Sequence, residues 1–311
     1  MTESTERAHH LPVLYQQVID ILKPQSSGKY VDGTLGAGGH AIGVLEQSQP
    51  NGLLLALDLD EQAICIAKER LSPYSHRVIY KKGSYANLAD YLKEIGWDCV
   101  DGILLDLGVS SIQLDTPERG FSFQKSSQLD MRFDLEQKTT ADEIVNTLSE
   151  KELHTIIHKY GEEPFARKIA AAIIANRPIR TTEKLAAVIA KAVGHRQSDI
   201  HPATRTFQAI RITVNQELDN LQKGLREATN ALCPGGRLAV ISFHSLEDRI
   251  VKQFMRIESQ DCICPVKQPI CTCGHRASIK LINKKVIKPS LEEVKQNPRA
   301  RSAKLRAAEK I

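Results

Sequence analysis

The segment Tyr30-Val-Asp-Gly-Thr-Leu-Gly-Ala-Gly-Gly-His40 constrains this chain more than any other. An apolar run ends in an acid, Asp32. Four glycines follow at Gly33, Gly36, Gly38 and Gly39, and an apolar-periodic run starts at Ala41. This order predicts a strand, a tight turn and a helix start. Glycine tolerates φ > 0 and lets backbone approach a ligand closely. The helix N-terminus behind the turn offers free N–H groups and a positive dipole end. The segment therefore reads as a nucleotide-cofactor loop.

The flanking sequence supplies a fold for it. Tyr15 to Leu22 is a short amphipathic helix ended before Pro24, Lys29 to Asp32 the first strand, and Gly39 to Gln47 a crossover helix. Leu53-Leu-Leu-Ala-Leu-Asp58 is continuously apolar, as a parallel strand buried on both faces should be. Asp60 is placed to cap the helix Glu61 to Leu71. Arg77 to Tyr80, Ser84 to Ile95 and Gly102-Ile-Leu-Leu-Asp106 continue as strand, helix, strand. Such alternation predicts a doubly wound α/β domain with a mostly parallel sheet.

The alternation stops after Gln113. Leu114 to Lys138 is long, polar and aromatic, with little periodicity. Helical patterns follow at Thr140–Leu148, Glu150–Tyr160, Pro164–Asn176 and Thr182–Val193. Ser149-Glu-Lys-Glu152 has capping-box spacing, and Gly161 fits a helix stop. The predicted organisation is an all-helical subdomain, 114–211, inserted into a discontinuous domain of 1–113 and 212–311. In the second half of that domain, Val214 to Leu232 reads as one helix and Cys233-Pro-Gly-Gly236 as a turn. Arg237 to Phe243 reads as a fifth strand and Ser245 to Ile257 as a helix. Ile279 to Ile287 reads as the last strands, and Pro298 to Arg306 as a weakly helical basic end.

Charge is unevenly placed. The chain carries a net +5, yet His275 to Ile311 alone holds eleven Lys or Arg against three acids. A clustered basic end suits a polyanion such as nucleic acid, or is a solvated tail. Met1 to His10 has no apolar signal core, and no apolar run approaches the roughly 20 residues that span a bilayer. A cytoplasmic protein without membrane contact is expected. In that compartment a disulfide framework is not expected. Cys65 and Cys99 lie in apolar stretches and read as small core residues. Cys262, Cys264, Cys271 and Cys273 form a C-x-C…C-x-C pattern that leaves zinc open.

Gly36-Ala-Gly-Gly-His-Ala41 also satisfies a dinucleotide pattern, with Asp58 about twenty residues on, where an acid grips a ribose hydroxyl. A NAD-dependent oxidoreductase is thus a competing reading. Asp32 argues against it, because a carboxylate directly before the glycines repels a pyrophosphate. S-adenosyl-L-methionine carries no phosphate, and its methionine end is an ammonium beside a sulfonium. Asp32, Asp58 and Asp106 all fall at carboxyl ends of parallel strands, where ligands of such sheets bind. Together they favour the methyl donor.

In-line methyl transfer needs no metal; it needs a nucleophile about 3 Å from the methyl group and exclusion of water. An exocyclic base amine is a weak nucleophile, helped by acceptors for its N–H groups. Asp106, Ser110 and Ser111 are the catalytic candidates. Phe121, Phe123 and Phe243 could stack a splayed base or simply pack. A C5-pyrimidine enzyme would need a cysteine nucleophile, and Cys233 sits in a structural turn instead. Asp106-Leu-Gly-Val109 also lacks the tetrad typical of DNA amino-methyltransferases. A non-catalytic RNA-binding assembly factor that retains a cofactor fold is the third reading.

Several long motifs resemble one family. They are His10-Leu-Pro-Val-Leu14, Asp32-Gly-Thr-Leu-Gly-Ala-Gly-Gly-His40, Asp106-Leu-Gly-Val-Ser-Ser-Ile-Gln113, Arg119-Gly-Phe-Ser-Phe123 and Leu129-Asp-Met-Arg132. Further on come Arg205-Thr-Phe-Gln-Ala-Ile-Arg211, Val214-Asn-Gln-Glu-Leu218, Ser242-Phe-His-Ser-Leu-Glu-Asp-Arg249 and Asn297-Pro-Arg-Ala-Arg-Ser302. Together they resemble the RsmH (MraW) family of bacterial 16S rRNA cytosine-N4 methyltransferases. The resemblance implies a Rossmann-like class I methyltransferase domain with a helical insertion. It also implies transfer from S-adenosyl-L-methionine to N4 of a cytidine in the P site of the small ribosomal subunit. By motif position it implies cofactor contacts at Gly38, Gly39, His40, Asp58, Tyr85, Asp106 and Gln113, to which the residue reading adds Asp32 and Gly36. Candidates for rRNA contact are Arg119, Phe121, Phe123, Arg132, Arg205, Arg211, His244, Arg299 and Arg301, with Lys304 and Arg306 beside them. A homodimer is left open, and the cysteine quartet is a departure from the family pattern.

Overall fold

The computed structural model describes residues 12–194, 201–265, 268 and 270–311. His10 and Leu11 of the first motif lie outside them. The chain divides into two compact units. One comprises the described residues up to Asp58, Gln62–Gly108 and Leu221 onward; the other comprises Leu59–Glu61 and Val109–Asn220.

The first unit opens with α1 (Tyr15–Leu22), β1 (Lys29–Asp32), α2 (Gly39–Gln47), β2 (Leu53–Asp58), α3 (Glu61–Arg70), β3 (Val78–Lys82), α4 (Leu88–Glu94) and β4 (Val100–Asp106). The helical unit then carries α5 (Ser111–Asp115), α6 (Ala141–Thr147), α7 (Glu150–Gly161), α8 (Ala166–Ala175), α9 (Thr182–Val193) and α10 (Thr204–Asn215). The chain returns through α11 (Glu217–Ala231), β5 (Leu232–Ser242), α12 (Ser245–Glu258), β6 (Ile279–Leu281), α13 (Leu291–Gln296) and β7 (Lys304–Lys310).

One seven-stranded sheet runs in the order β3-β2-β1-β4-β5-β7-β6. β1 to β5 pair in parallel, and β7 is antiparallel to both neighbours. Successive side chains point to opposite faces of a strand, which explains the continuous apolar runs. Leu54, Ala56 and Leu104 enter the core under α1 to α3, with Ile19, Val44, Leu45 and Ile64. Leu55, Leu57, Ile103 and Leu105 enter the opposite core with Leu88, Leu225, Val251 and Met255. Strand order reverses on either side of β1, and ligands of open parallel sheets bind at such a switch point, beyond the carboxyl ends.

The helical unit has its own core. Leu153 and Ile157 of α7, Ile169 and Ile173 of α8, and Leu185 and Ile189 of α9 each stand four residues apart on one helix face. Ser149 and Glu152 close the expected capping box, and Thr181 caps α9. The 120–140 segment is irregular but anchored. Buried Asn215 accepts from Phe133 N (2.7 Å) and donates to Met131 O (2.7 Å).

Several sequence expectations change. Phe207, Ile210, Val214, Leu218 and Leu221 keep helical spacing, yet α10 and α11 are separate helices, broken at Gln216 (φ 51°). The helical unit therefore includes α10, and it ends at Asn220 rather than 211. Cys233 to Gly236 is no turn. It lies inside β5, with Gly235 at φ 81° and a register shift opposite Val100–Gly102. Gly161 is the last residue of α7, and Glu162 takes the left-handed position after it. Cys99 and Cys233 form a disulfide, and Cys65 is exposed rather than in the core. The basic end is a short 3₁₀ turn, Pro298–Ser302, followed by β7. The period-two alternation of Lys304 and Arg306 with Leu305 and Ala307 marks it as a strand. The two basic residues pair with Asp248.

Replacing Asn215 with alanine leaves the Phe133 N–H and the Met131 carbonyl without their side-chain partner. Unfolding free energy is expected to fall by about 2 kcal/mol or more, measured by denaturant titration; an unchanged midpoint would contradict this anchor.

Candidate active site

β1, β2 and β4 each end in aspartate, at one edge of the sheet. The glycine loop is tied to both neighbours of β1. Gly33 N donates to Leu104 O (2.9 Å) and Leu35 N to Leu57 O (2.8 Å), so both ladders run past Asp32. Thr34 Oγ1 accepts from Asp106 N (2.6 Å), and Asp58 Oδ2 accepts from Gly36 N (2.8 Å). Gly36 (φ 51°) and Gly38 (φ 74°) take left-handed backbone that a side chain would disfavour, and Gly38 is the N-cap of α2. No acidic residue occupies the first turn of α2, so its positive end is uncompensated there.

The acids at this edge repel one another; Asp32 is buried, and Asp58 and Asp106 are half-buried. Asp32 is raised to about 7, first by burial and then by the charge of Asp58, against an opposing hydrogen bond from Thr34 N. Asp106 is raised well above the carboxylate range by burial, then by Asp32, then by Glu247. Its Oδ1 is buried without a hydrogen-bond partner among the described residues. His40 is buried, and burial pulls it down to about 4 against a contact of Nε2 with Val13 O (3.0 Å). His40 Nδ1 stands 3.7 Å from Asp106 Oδ2. The separation alone would suggest an ion pair. Burial shifts both groups toward their neutral forms, His40 by lowering its pKa and Asp106 by raising its own.

Tyr85 follows β3, and its ring lies against the backbone of Gly224, where an added Cβ would stand 2.2 Å from the ring. His244 is the N-cap of α12 and forms a capping box with Glu247, whose Oε2 accepts from Phe243 N (2.8 Å) and His244 N (3.2 Å). Thr34 and Glu247 were not singled out in the sequence. The signal for Glu247 was the capping spacing His244-x-x-Glu247; for Thr34, one threonine in a turn gave none.

Except for Arg299 and Arg301, the remaining candidates fall in the helical unit, mostly in scaffold roles. Ser110 caps α5, its Oγ accepting from Gln113 N (3.2 Å). Gln113 returns the bond to Ser110 N and donates Nε2 to Asp60 (3.0 Å). Ser111 is the first residue of α5 and is exposed. Arg119 is not a surface RNA contact. It is buried in an ion pair with Asp60 and also donates to Arg132 O and Phe133 O. Phe121 stacks on Phe133, and Phe123 packs edge-on against Phe207, so neither is splayed for a base. Arg132 is bound to Asp130 and to the carbonyls of Leu135 and Gln137. Arg205 donates to Glu162 O, and Arg211 forms a two-pronged pair with Glu217. These pairings correct the expectation that these side chains are offered to phosphates. Arg299 and Arg301, in the 3₁₀ turn before β7, are exposed.

The residues at the sheet edge fit S-adenosyl-L-methionine. One buried carboxyl, Asp32, and one half-buried carboxyl, Asp106, whose Oδ1 lacks a partner among the described residues, suit an ammonium and a sulfonium. The N-terminal end of α2 suits the amino-acid carboxylate, and Asp58 suits ribose hydroxyls. A pyrophosphate would meet the same acids unfavourably, which removes the dinucleotide reading. Fold and site together define a methyltransferase of the Rossmann-like class I type that uses S-adenosyl-L-methionine. Within that class, the chain belongs to the MraW methylase family, which it matches over residues 7–311. It is 53% identical over 302 residues to a "Ribosomal RNA small subunit methyltransferase H" of Dehalococcoides mccartyi, covering 97% of this chain and 86% of that protein. It is also 53% identical over 308 residues to the protein of that name from Geotalea uraniireducens (97% and 99% covered). A third, from Thermomicrobium roseum, is 50% identical over 305 residues (97% and 94%). Among solved structures, a putative rRNA-methylase from Clostridium thermocellum aligns over 97% of this chain and 99% of its own, with 13% identity and a TM-score of 0.47.

Because Asp32 sits near 7 without ligand, a cationic ligand must displace its proton at or below neutral pH. S-adenosyl-L-methionine binding should therefore release protons. Its affinity should weaken as pH falls below about 7, by up to about tenfold per pH unit for each carboxyl that must ionise. Calorimetry in buffers of different ionisation enthalpy measures this, and binding with no proton release between pH 6 and 7 would contradict it.

Proposed function

We propose that this chain methylates N4 of a cytidine in the decoding centre (P site) of 16S rRNA, within the small ribosomal subunit, by direct in-line transfer without a covalent enzyme intermediate. The observation that carries the reading is the half-buried Asp106 carboxyl, its Oδ1 buried without a partner among the described residues, beside Asp32 at the edge of the sheet. The shared name of the 50–53% identical relatives supports small-subunit rRNA as the substrate. Small subunits are assembled in the cytoplasm, where this reading puts the activity.

Asp32, Asp58, Tyr85 and the Gly36–His40 turn are assigned to the cofactor. S-adenosyl-L-methionine supplies a methyl carbon made electrophilic by its sulfonium, whose sulfur takes the bonding pair on transfer. A cation at this edge favours the ionised forms of Asp32 and Asp106. The Asp106 carboxylate then accepts an N4–H of the cytosine. That draws the nitrogen lone pair out of conjugation with the ring and orients it, and the proton that N4 sheds on gaining the methyl group passes to solvent. Thr34 positions Asp106 through its backbone N–H. Neutral His40, on the other side of Asp106, adds no competing positive charge. The helical unit is assigned to rRNA recognition, and Arg299 and Arg301 to the rRNA backbone.

The test is incubation with labelled S-adenosyl-L-methionine and small subunits lacking the modification, followed by nucleoside analysis. N4-methylcytidine is the expected product; its absence under conditions where the cofactor binds would sink the reading. Asp106→Asn keeps the shape but loses the carboxylate, and kcat should fall by about 100-fold or more. Near-normal turnover in that variant would remove Asp106 from the reaction.

A further inference from the structure

The segment between α12 and β6 has almost no apolar interior. Ile263 and Ile270 are 48% and 74% exposed, and none of the described residues from 260 to 276 enters one of the three buried cores. Segments that cannot bury a core are commonly held by a metal or by disulfides. Cys262, Cys264, Cys271 and Cys273 are free thiols in this segment. Their sulfurs all lie within 4.8 Å of one another. Cys262 Sγ is 3.5 Å from Cys271 Sγ and 3.8 Å from Cys273 Sγ, and Cys271 and Cys273 are 3.6 Å apart. With Zn–S bonds of about 2.3 Å, a regular tetrahedron has sulfur–sulfur edges of about 3.8 Å. The observed spacings match one tetrahedral ion.

We propose that Cys262, Cys264, Cys271 and Cys273 bind one Zn²⁺ in a closed tetrathiolate site that holds this segment in shape. The two C-x-C pairs supply two ligands each. Four sulfur donors exclude the hard cations, which prefer oxygen. A polynuclear iron–sulfur cluster would hold its thiolates further apart than these sulfurs stand. With four protein ligands no coordination position is open, so the ion is structural and takes no part in methyl transfer. Each thiol loses its proton on binding, released to solvent. The frame around the site is already set. Ile263 N points to Cys273 Sγ (3.5 Å), the kind of outer contact that supports a thiolate ligand. The returning arm is tied to α12 by His275 Nε2 to Ile257 O (2.9 Å) and to its C-terminal end by Ser278 N to Glu258 O (2.8 Å).

The test is elemental analysis of the full-length protein, expressed with zinc and purified without chelators or metal-affinity resin. One zinc per chain is expected, falling to below a tenth in Cys262→Ser/Cys273→Ser. Replacement of zinc by Co²⁺ should give the visible bands of a tetrahedral tetrathiolate, absent from the double variant. Should that variant fail to fold, the native protein still answers. Its four thiols should resist a thiol reagent until a strong chelator removes the metal, and then react together with release of one zinc. Negligible zinc with all four thiols freely reactive, iron in place of zinc, or zinc unchanged in the double variant would each overturn the proposal.

Discussion

A chain of like charge runs through the carboxyl end of this sheet. Asp58 acts on Asp32, and Asp32 and Glu247 act on Asp106, with burial adding the larger share at both Asp32 and Asp106. His40, the imidazole that faces Asp106, is held neutral by its own burial. Without ligand, burial and mutual repulsion shift Asp32 and Asp106 toward their protonated forms. With a cation present, the same acids become its counter-charge. This one feature separates a methyl-donor site from a dinucleotide site built on a similar glycine loop. It also places the acceptor of the N4–H and the counter-charge of the cofactor side by side.

The rest of the first unit keeps those acids where they are. β1, β2 and β4 are buried on both faces, so their ends are fixed by two cores at once. The loop after β1 bonds to Leu57, Leu104, Asp58 and Asp106, which leaves it little freedom to relax away from the repulsion. Glu247 is fixed by the first turn of α12, where three backbone and capping contacts hold it. Rigid placement is what makes the cost of ionisation persist until a ligand arrives.

Much of this unit was legible in the sequence because its signals are local. Continuous apolar runs marked buried parallel strands, and the glycine turn marked the start of α2, as the capping spacing at Ser149 did for α7 in the helical unit. What failed was non-local. Nothing in Phe207 to Leu225 announces a break at Gln216, because the apolar period runs straight through it. Cys233-Pro-Gly-Gly236 has turn composition, and only its pairing opposite Val100–Gly102 makes it a bulged strand. At the site, the three strand-end aspartates were visible, whereas Glu247 reaches the cluster from a helix 141 positions beyond Asp106 in the chain. The arginine- and phenylalanine-rich motifs Arg119–Phe123 and Arg205–Arg211 looked like substrate contacts because specific residues in a polar stretch suggest recognition. Their partners, Asp60, Phe133, Phe207 and Glu217, explain them instead as the frame of the helical unit.

The central claim is that burial and neighbouring acids hold Asp32 partly protonated near neutral pH until a cationic cofactor ionises it. Its most direct measurement is a carbon-13 NMR titration of aspartate carboxyls, with Asp32→Asn assigning the Asp32 resonance. Without ligand, Asp32 should titrate near 7. With S-adenosyl-L-methionine bound, its midpoint should move down toward the ordinary carboxylate range. An Asp32 that titrates near 3.8 in the ligand-free protein, or a midpoint unmoved by the cofactor, would contradict the account.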